Sequence, residues 1–336
     1  MKNLVSKLLK VVLPLLLGGF VMYWVYRDFD FELAADVLAN DTNWLWMTVS
    51  LLAGVMANVI RGIRWKMLFQ PLNHFPDKNN CIDAVFVSYA ANLVIPRVGE
   101  VSRCGILTKC DGIPFGQSLG TVVTERVVDM LCMLFLIGLA FLIQSPALLR
   151  FFAETGTKIP SWQHLIASPW FYVSLFCVIG VVVLAWLLLR TIRVAERVKG
   201  FVLNTWEGIN SLRKITQRGT FAYLTVAIWL LYYVHFAATF YCFSFTAQLD
   251  WAVGLVVFVA GTLAVIVPTP NGAGPWHFAV ITMLMLYGVS ATHAALFALV
   301  VHGIQTLLVI LTGLYGWLHL QHKNPGYRKI DNTGEV

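Results

Sequence analysis

Two short stretches of this chain concentrate the residues that could do chemistry. The first, Tyr89–Arg103, ends an apolar run at Pro96 and then sets Arg97, Gly99, Glu100 and Arg103 close together. Glu125, Arg126 and Asp129 follow; Arg126 and Asp129 are three apart, so they share a face of any helix there. A planar guanidinium suits phosphate oxygens. Arg97, Arg103 and Arg126 are therefore candidate ligands for a lipid phosphate. Glu100, Glu125 and Asp129 would position them or exchange protons. The plainer alternative is that these groups pair with one another, or stand in cytoplasmic water as topology-setting charges.

The second stretch, Leu263–His277, repeats the order: an apolar run, a proline break, then glycines. Asn271, Gly272 and Gly274 expose backbone amides, and Pro275 suits the first turn of a following helix, whose N-terminal end attracts anions. Pro96, Gly99, Pro268 and Pro270 are read as helix breaks. His277 follows the second break, and His235 and His302 fall inside apolar runs. Ionisable groups at membrane depth are functional candidates, although a histidine that packs between helices is the commoner case. A lone GxG without a strand before it does not make a nucleotide-binding loop.

The elements that must position these residues are membrane helices. The chain is 58% hydrophobic and 12% charged, with a mean hydropathy of +0.73; a soluble domain is nearer a quarter charged. The net charge of +7 does not point to nucleic acid, because excess Lys and Arg in a membrane protein mostly report orientation. The six cysteines show no CxxC pair and no Cys/His ligand spacing, so neither a disulfide, a metal nor a cofactor is expected.

Charge asymmetry sets the topology. Lys2, Lys7 and Lys10 precede a first span, about Leu8–Tyr26, and acidic residues follow it, which puts the N-terminus in the cytoplasm. Further spans are expected at about Trp44–Ile60, Val127–Ile143, Trp170–Leu189, Phe221–Phe243 and Ala295–Leu318. The basic loop Arg190–Thr220 is cytoplasmic; it reads as an amphipathic surface helix or as a plain linker. Lys323, Arg328 and Lys329 then hold the C-terminus inside, with residues 323–336 a flexible tail.

Parity makes the region Cys81–Arg126 start and end inside, and Trp251–Ser290 start and end outside. Each must cross twice or dip in and return. The short apolar runs and the breaks favour two oppositely oriented re-entrant hairpins; full crossing as helix pairs keeps the same parity. The expected fold is an all-α polytopic membrane protein forming one domain over residues 1–322. It has about six full spans and inverted repeats near residues 44–143 and 221–318. Interrupted segments at matching places in two halves point to a transporter-like site.

The motifs Asn92…Ile95-Pro96-Arg97-x-Gly99-Glu100…Arg103, Thr124-Glu125-Arg126-x-x-Asp129 and Pro268-x-Pro270-Asn271-Gly272-x-Gly274 resemble the flippase-like membrane domain of bacterial lysylphosphatidylglycerol synthases. The resemblance covers nearly the whole chain. It implies a stand-alone translocator of a phospholipid or polyprenyl-phosphate-linked lipid in a bacterial inner membrane. Its partners would be membrane lipids with an anionic phosphate headgroup, and its oligomeric state is left open. Aminoacyl transfer is not expected, because the longest non-membrane segment is Arg190–Thr220 and the synthases carry that activity on a separate soluble domain. A lipid-phosphate-modifying enzyme and a non-transporting partner in envelope-lipid assembly are the alternatives. The second motif departs from the family pattern: Asn271 stands for a glycine, and Pro275-Trp276-His277 fills the place of an acidic residue. If that acid carries protons in relatives, His277 is its candidate substitute here.

Overall fold

The computed structural model describes residues 31–154 and 215–324, together with Gly19, Met22, Tyr23, Tyr26 and Arg27. Most of the expected first span lies outside the described residues, as do the expected fourth span, most of the amphipathic segment and the tail beyond Asn324.

Every regular element among the described residues is helical. After α1 (Phe31–Asp36) and its π turn, α2 (Trp44–Met67) starts at Asn43, whose side chain accepts from the Leu45 amide. Helix α3 (Lys78–Val94) starts at Asp77, which accepts from the amides of Asn79 and Asn80. It stops because Ile95 precedes Pro96 and is driven into extended backbone (φ −129°, ψ 118°). Helix α4 (Val98–Asp111) begins beyond Arg97 and ends at Gly112, both left-handed.

Helix α5 (Phe115–Glu154) runs unbroken through the mildly apolar Phe115–Thr124 and the apolar run after it. Nothing there interrupts a helix. The bend comes at Gln144 (φ −111°, ψ 19°), two residues before Pro146, whose ring cannot continue the hydrogen-bond ladder. The expected loop after Ile143 is therefore helical as far as Glu154.

The second half gives α6 (Arg218–Ala237), extended by a 3₁₀ turn to Cys242, then α7 (Trp251–Ala264), α8 (Pro275–Leu286) and α9 (Ala291–Lys323). Asp250 caps α7 through the Val253 amide, and Ser290 caps α9 through the His293 amide.

Among the described residues, four helical stretches are long and apolar enough to cross a membrane: Trp44–Leu72, Phe115–Gln144, Arg218–Cys242 and Ala291–Lys323. Each half therefore reads long helix, shorter pair, long helix. The outward faces are apolar; on α5, Phe135 is 69% exposed and Leu142 75% exposed, as lipid-facing side chains are.

The halves interlock. Helix α2 packs most extensively on α6, and α9 on α3. Small residues make the second contact possible: a Cβ at Gly313 of α9 would lie 2.3 Å from Cβ of Ala90 on α3. Between helices in lipid, close packing replaces the hydrophobic drive available in water. An aromatic core of Phe236, Phe240, Phe297 and Trp276 fills the second half, and Trp65, Phe69 and Leu107 fill the first.

Candidate functional site

The two breaks meet. Between α3 and α4 the chain turns through Arg97, a non-glycine residue at φ +63°. Between α7 and α8 it turns through Asn271 at φ +53° and Gly272 at φ +71°. Arg97 Nη2 donates to the carbonyl of Ile266 at 3.1 Å, so the first break touches the second directly. Together they wall a cavity of about 490 Å³. Pro96, Arg97 and Glu100 line it from one side and Pro268, Thr269, Asn271 and Gly272 from the other, with Arg126 of α5 at its edge.

Its remaining polar wall comes from α3 and the long helices. Tyr89 and Tyr232 share a hydrogen bond at 2.8 Å, and the Tyr232 hydroxyl donates to Asn58 at 2.9 Å. The Asn271 amide donates to Thr306 Oγ1 at 2.7 Å, and Asn271 Nδ2 lies 3.4 Å from His302 Nε2. Irregular backbone at membrane depth is tolerated where it is buried in protein or lines such a cavity.

Behind Arg126 lies a buried ion cluster. Glu125 is fully buried. Its Oε1 accepts from Arg61 Nη1 at 2.8 Å and Arg126 Nη2 at 3.0 Å, and its Oε2 from Arg103 Nη1 at 2.9 Å. Asp129 meets Arg61 and Arg64, each at 3.0 Å, and Arg126 at 3.4 Å. Arg61, Arg64 and Arg103 are buried, whereas the Arg126 side chain is 44% exposed. Aromatic faces back the guanidinium groups: Arg103 lies over Trp65 at 4.7 Å and Arg61 over Tyr232 at 5.4 Å.

The structure thus divides the residues expected to bind phosphate or move protons. Arg97, Glu100, Arg126, Asn271 and Gly272 line the cavity. Arg103, Glu125 and Asp129 pair with one another's partners in the cluster behind it, which is the plainer alternative weighed from sequence. Gly272 and Gly274 amides are engaged within the break, with Thr269 O at 3.1 Å and His277 Nδ1 at 3.3 Å. His277 is 1% exposed and stands outside the cavity lining, its ring 4.5 Å from that of His302 and edge-on to Tyr26. His302 lines the cavity. His235 lines it too and is held by Ser50, whose carbonyl lies 2.7 Å from Nδ1. Pro96 and Pro268 stand at the breaks, and Gly99 lies where a Cβ would come within 2.1 Å of the Ser88 carbonyl.

Sequence reasoning missed Arg61 and Arg64, which read as charges marking the cytoplasmic end of a span. Their signal was spacing: Asn58, Arg61 and Arg64 recur every three residues and share a helix face. No group of His, Cys, Asp or Glu among the described residues could hold a metal ion.

Comparison with known proteins agrees with this architecture. A family model described as "Lysylphosphatidylglycerol synthase TM region" matches residues 11–313. A protein named as a UPF0104 membrane protein, from Methanocaldococcus jannaschii, is 26% identical over 176 residues, or 52% of this chain and 49% of that protein. The match therefore spans about half the length of this relative. No solved structure matches.

Proposed function

We propose that this chain, which belongs to the lysylphosphatidylglycerol synthase TM region family, translocates a phospholipid or a polyprenyl-phosphate-linked lipid across the cytoplasmic membrane. The observation that carries this reading is the shared cavity. Two helix breaks from opposite halves of a multi-pass membrane protein wall one cavity, with Arg97 and Arg126 in its lining. A volume near 490 Å³ suits a headgroup, while the chains stay among the lipids. Guanidinium groups there offer paired donors to phosphate oxygens.

The short helices support a re-entrant arrangement. At 1.5 Å per residue, the 17 residues of α3 reach about 25 Å and the 14 of α7 about 21 Å. Both fall short of a hydrocarbon core roughly 30 Å thick. In this reading α3–α4 dips in from the cytoplasm and α7–α8 from outside, and one repeat rocks against the other to alternate access. Labelling of Ser290→Cys by a membrane-impermeant thiol reagent should occur from the outside; labelling from the cytoplasm alone would sink the inverted arrangement.

The enzyme reading has less support. A lipid-phosphate-modifying site needs an acid or base beside the phosphate; both Glu125 oxygens are committed to arginines, which leaves Glu100 of the lining as its candidate. The deciding experiment reconstitutes the protein in liposomes with fluorescent phospholipids or a fluorescent prenyl phosphate and follows leaflet exchange. Exchange by the parent, lost in folded Arg97→Ala and Arg126→Ala variants, is expected. Chemically altered lipid would favour the enzyme, and no exchange of any lipid would favour a non-transporting partner.

A further inference from the structure

The charges around the cavity do not balance. Arg97, Arg126 and Glu100 line it, and Arg61, Arg64, Arg103, Glu125 and Asp129 form the cluster that Arg126 joins. Five guanidinium groups thus meet three carboxylates, an excess of two positive charges among the described residues. Other carboxylates are engaged elsewhere: Asp77 with Lys323, Asp83 with His319, Asp111 with Asn80, Asp41 with Ser244, Asp250 with the Val253 amide. Two carboxylate oxygens are buried with no hydrogen-bond donor, Glu100 Oε2 in the lining and Asp129 Oδ2 in the cluster. Arg97 and Arg126, the exposed arginines of this group, line the cavity, so the site is set to receive an anion of more than one charge.

Building on the lipid-translocation reading, we infer that the cavity selects a lipid ending in a phosphate monoester. At neutral pH such a group carries close to two negative charges and three terminal oxygens. A phosphodiester carries one charge, a zwitterionic headgroup none, and a lysyl headgroup is positive. The charge count at the cavity carries this selectivity.

Native mass spectrometry of the full chain in detergent micelles tests this. The competing lipids carry identical acyl chains: phosphatidic acid as the monoester, then phosphatidylglycerol, phosphatidylcholine and lysylphosphatidylglycerol, with inorganic phosphate as soluble competitor. One additional headgroup charge in a partly screened site should favour phosphatidic acid over phosphatidylglycerol by about tenfold. The lysyl lipid should bind least, and inorganic phosphate should displace phosphatidic acid poorly. Arg126→Gln should narrow the preference. So should Arg97→Gln, whose exposed side chain lies outside the ion cluster; unchanged heat resistance on size exclusion separates that effect from a folding defect. Phosphatidylglycerol binding within about twofold of phosphatidic acid would overturn the monoester selectivity and leave the lipid site standing. Binding of no lipid would overturn both. Inorganic phosphate competing mole for mole with phosphatidic acid would assign the charge match to a soluble phosphate and overturn the lipid reading.

Discussion

Glu125→Ala separates the cluster's structural role from the binding role proposed for the cavity. In the parent, Glu125 is fully buried and receives hydrogen bonds from Arg61, Arg103 and Arg126. Without it, Arg61 and Arg64 keep Asp129, while buried Arg103 loses the carboxylate it pairs with. Removing one partner of a buried pair costs about 3–5 kcal/mol, because the surviving charge stays desolvated. Arg126→Ala removes a side chain that is 44% exposed, and partly exposed pairs contribute about 1 kcal/mol or less. The two variants should therefore behave oppositely in two assays. Heating detergent-solubilised protein before size exclusion should show the half-loss temperature falling on the order of 10 °C for Glu125→Ala, and little for Arg126→Ala. Leaflet exchange, by contrast, should be lost in Arg126→Ala while the protein stays monodisperse. A Glu125→Ala protein as heat-resistant as its parent would refute the claim that this cluster holds the cavity wall.

Other sites give sharper yes-or-no outcomes. Gly99→Ala should disrupt the first hairpin, since its Cβ would press on the Ser88 carbonyl, whereas Gly105→Ala on the same helix meets nothing within 4 Å and should be neutral or gain up to about 1 kcal/mol. Equal heat resistance of the two would contradict the packing of α4 on α3. Asn271→Ala should cost about 1–2 kcal/mol, for it loses the Thr306 contact and forces a left-handed alanine; Asn271→Gly should recover part of that, and a glycine variant no better than alanine would remove the backbone argument. At the rim of α3, burial opposes the charge of Asp77, but Lys323 and the capped amides outweigh it and hold its carboxyl below the ordinary 3.8. A depressed folded-state value means stability that is present at neutral pH and lost as pH falls below 3.8. Asp77→Asn keeps the cap and should cost under about 1 kcal/mol at neutral pH. Asp77→Ala should cost about 1 kcal/mol more, which thermal scans at pH 7 resolve.

Much of the architecture was legible because its signals are local. Pro96 and the Pro268–Pro275 run cannot continue a helix, so the breaks were readable as residue types. The capping residues Asn43, Asp250 and Ser290 stand where helices begin. The ion cluster was not legible in the same way. Arg61 and Arg64 look from sequence like charges at the end of a span, and only the packing of α2 against α5 and α6 buries them beside Glu125 and Asp129. Whether a charge is solvated or sealed depends on which helix covers it. The role of Arg126 was unclear for the same reason: its neighbour Glu125 points into protein while Arg126 reaches the cavity, a distinction of one residue on one helix.

The contact between the breaks gives Arg97 two tasks that compete. Its guanidinium donates to Ile266 just beyond the C-terminal end of α7, where helix carbonyls lack partners and a cation is favoured. The first break thus supplies the cap that the second requires. A guanidinium has five donors, so part of its capacity remains for a phosphate in the cavity it lines. The same contact ties α3–α4 to α7–α8, and any rocking of one repeat past the other must stretch or break it. In the translocator reading, a bound phosphate would draw Arg97 from Ile266 and so release the tie only when a headgroup is present. Arg97→Lys, which keeps the charge but loses the planar fork, would then weaken binding less than it uncouples exchange from it. A variant whose binding and exchange fall in proportion would show Arg97 to be a ligand and nothing more.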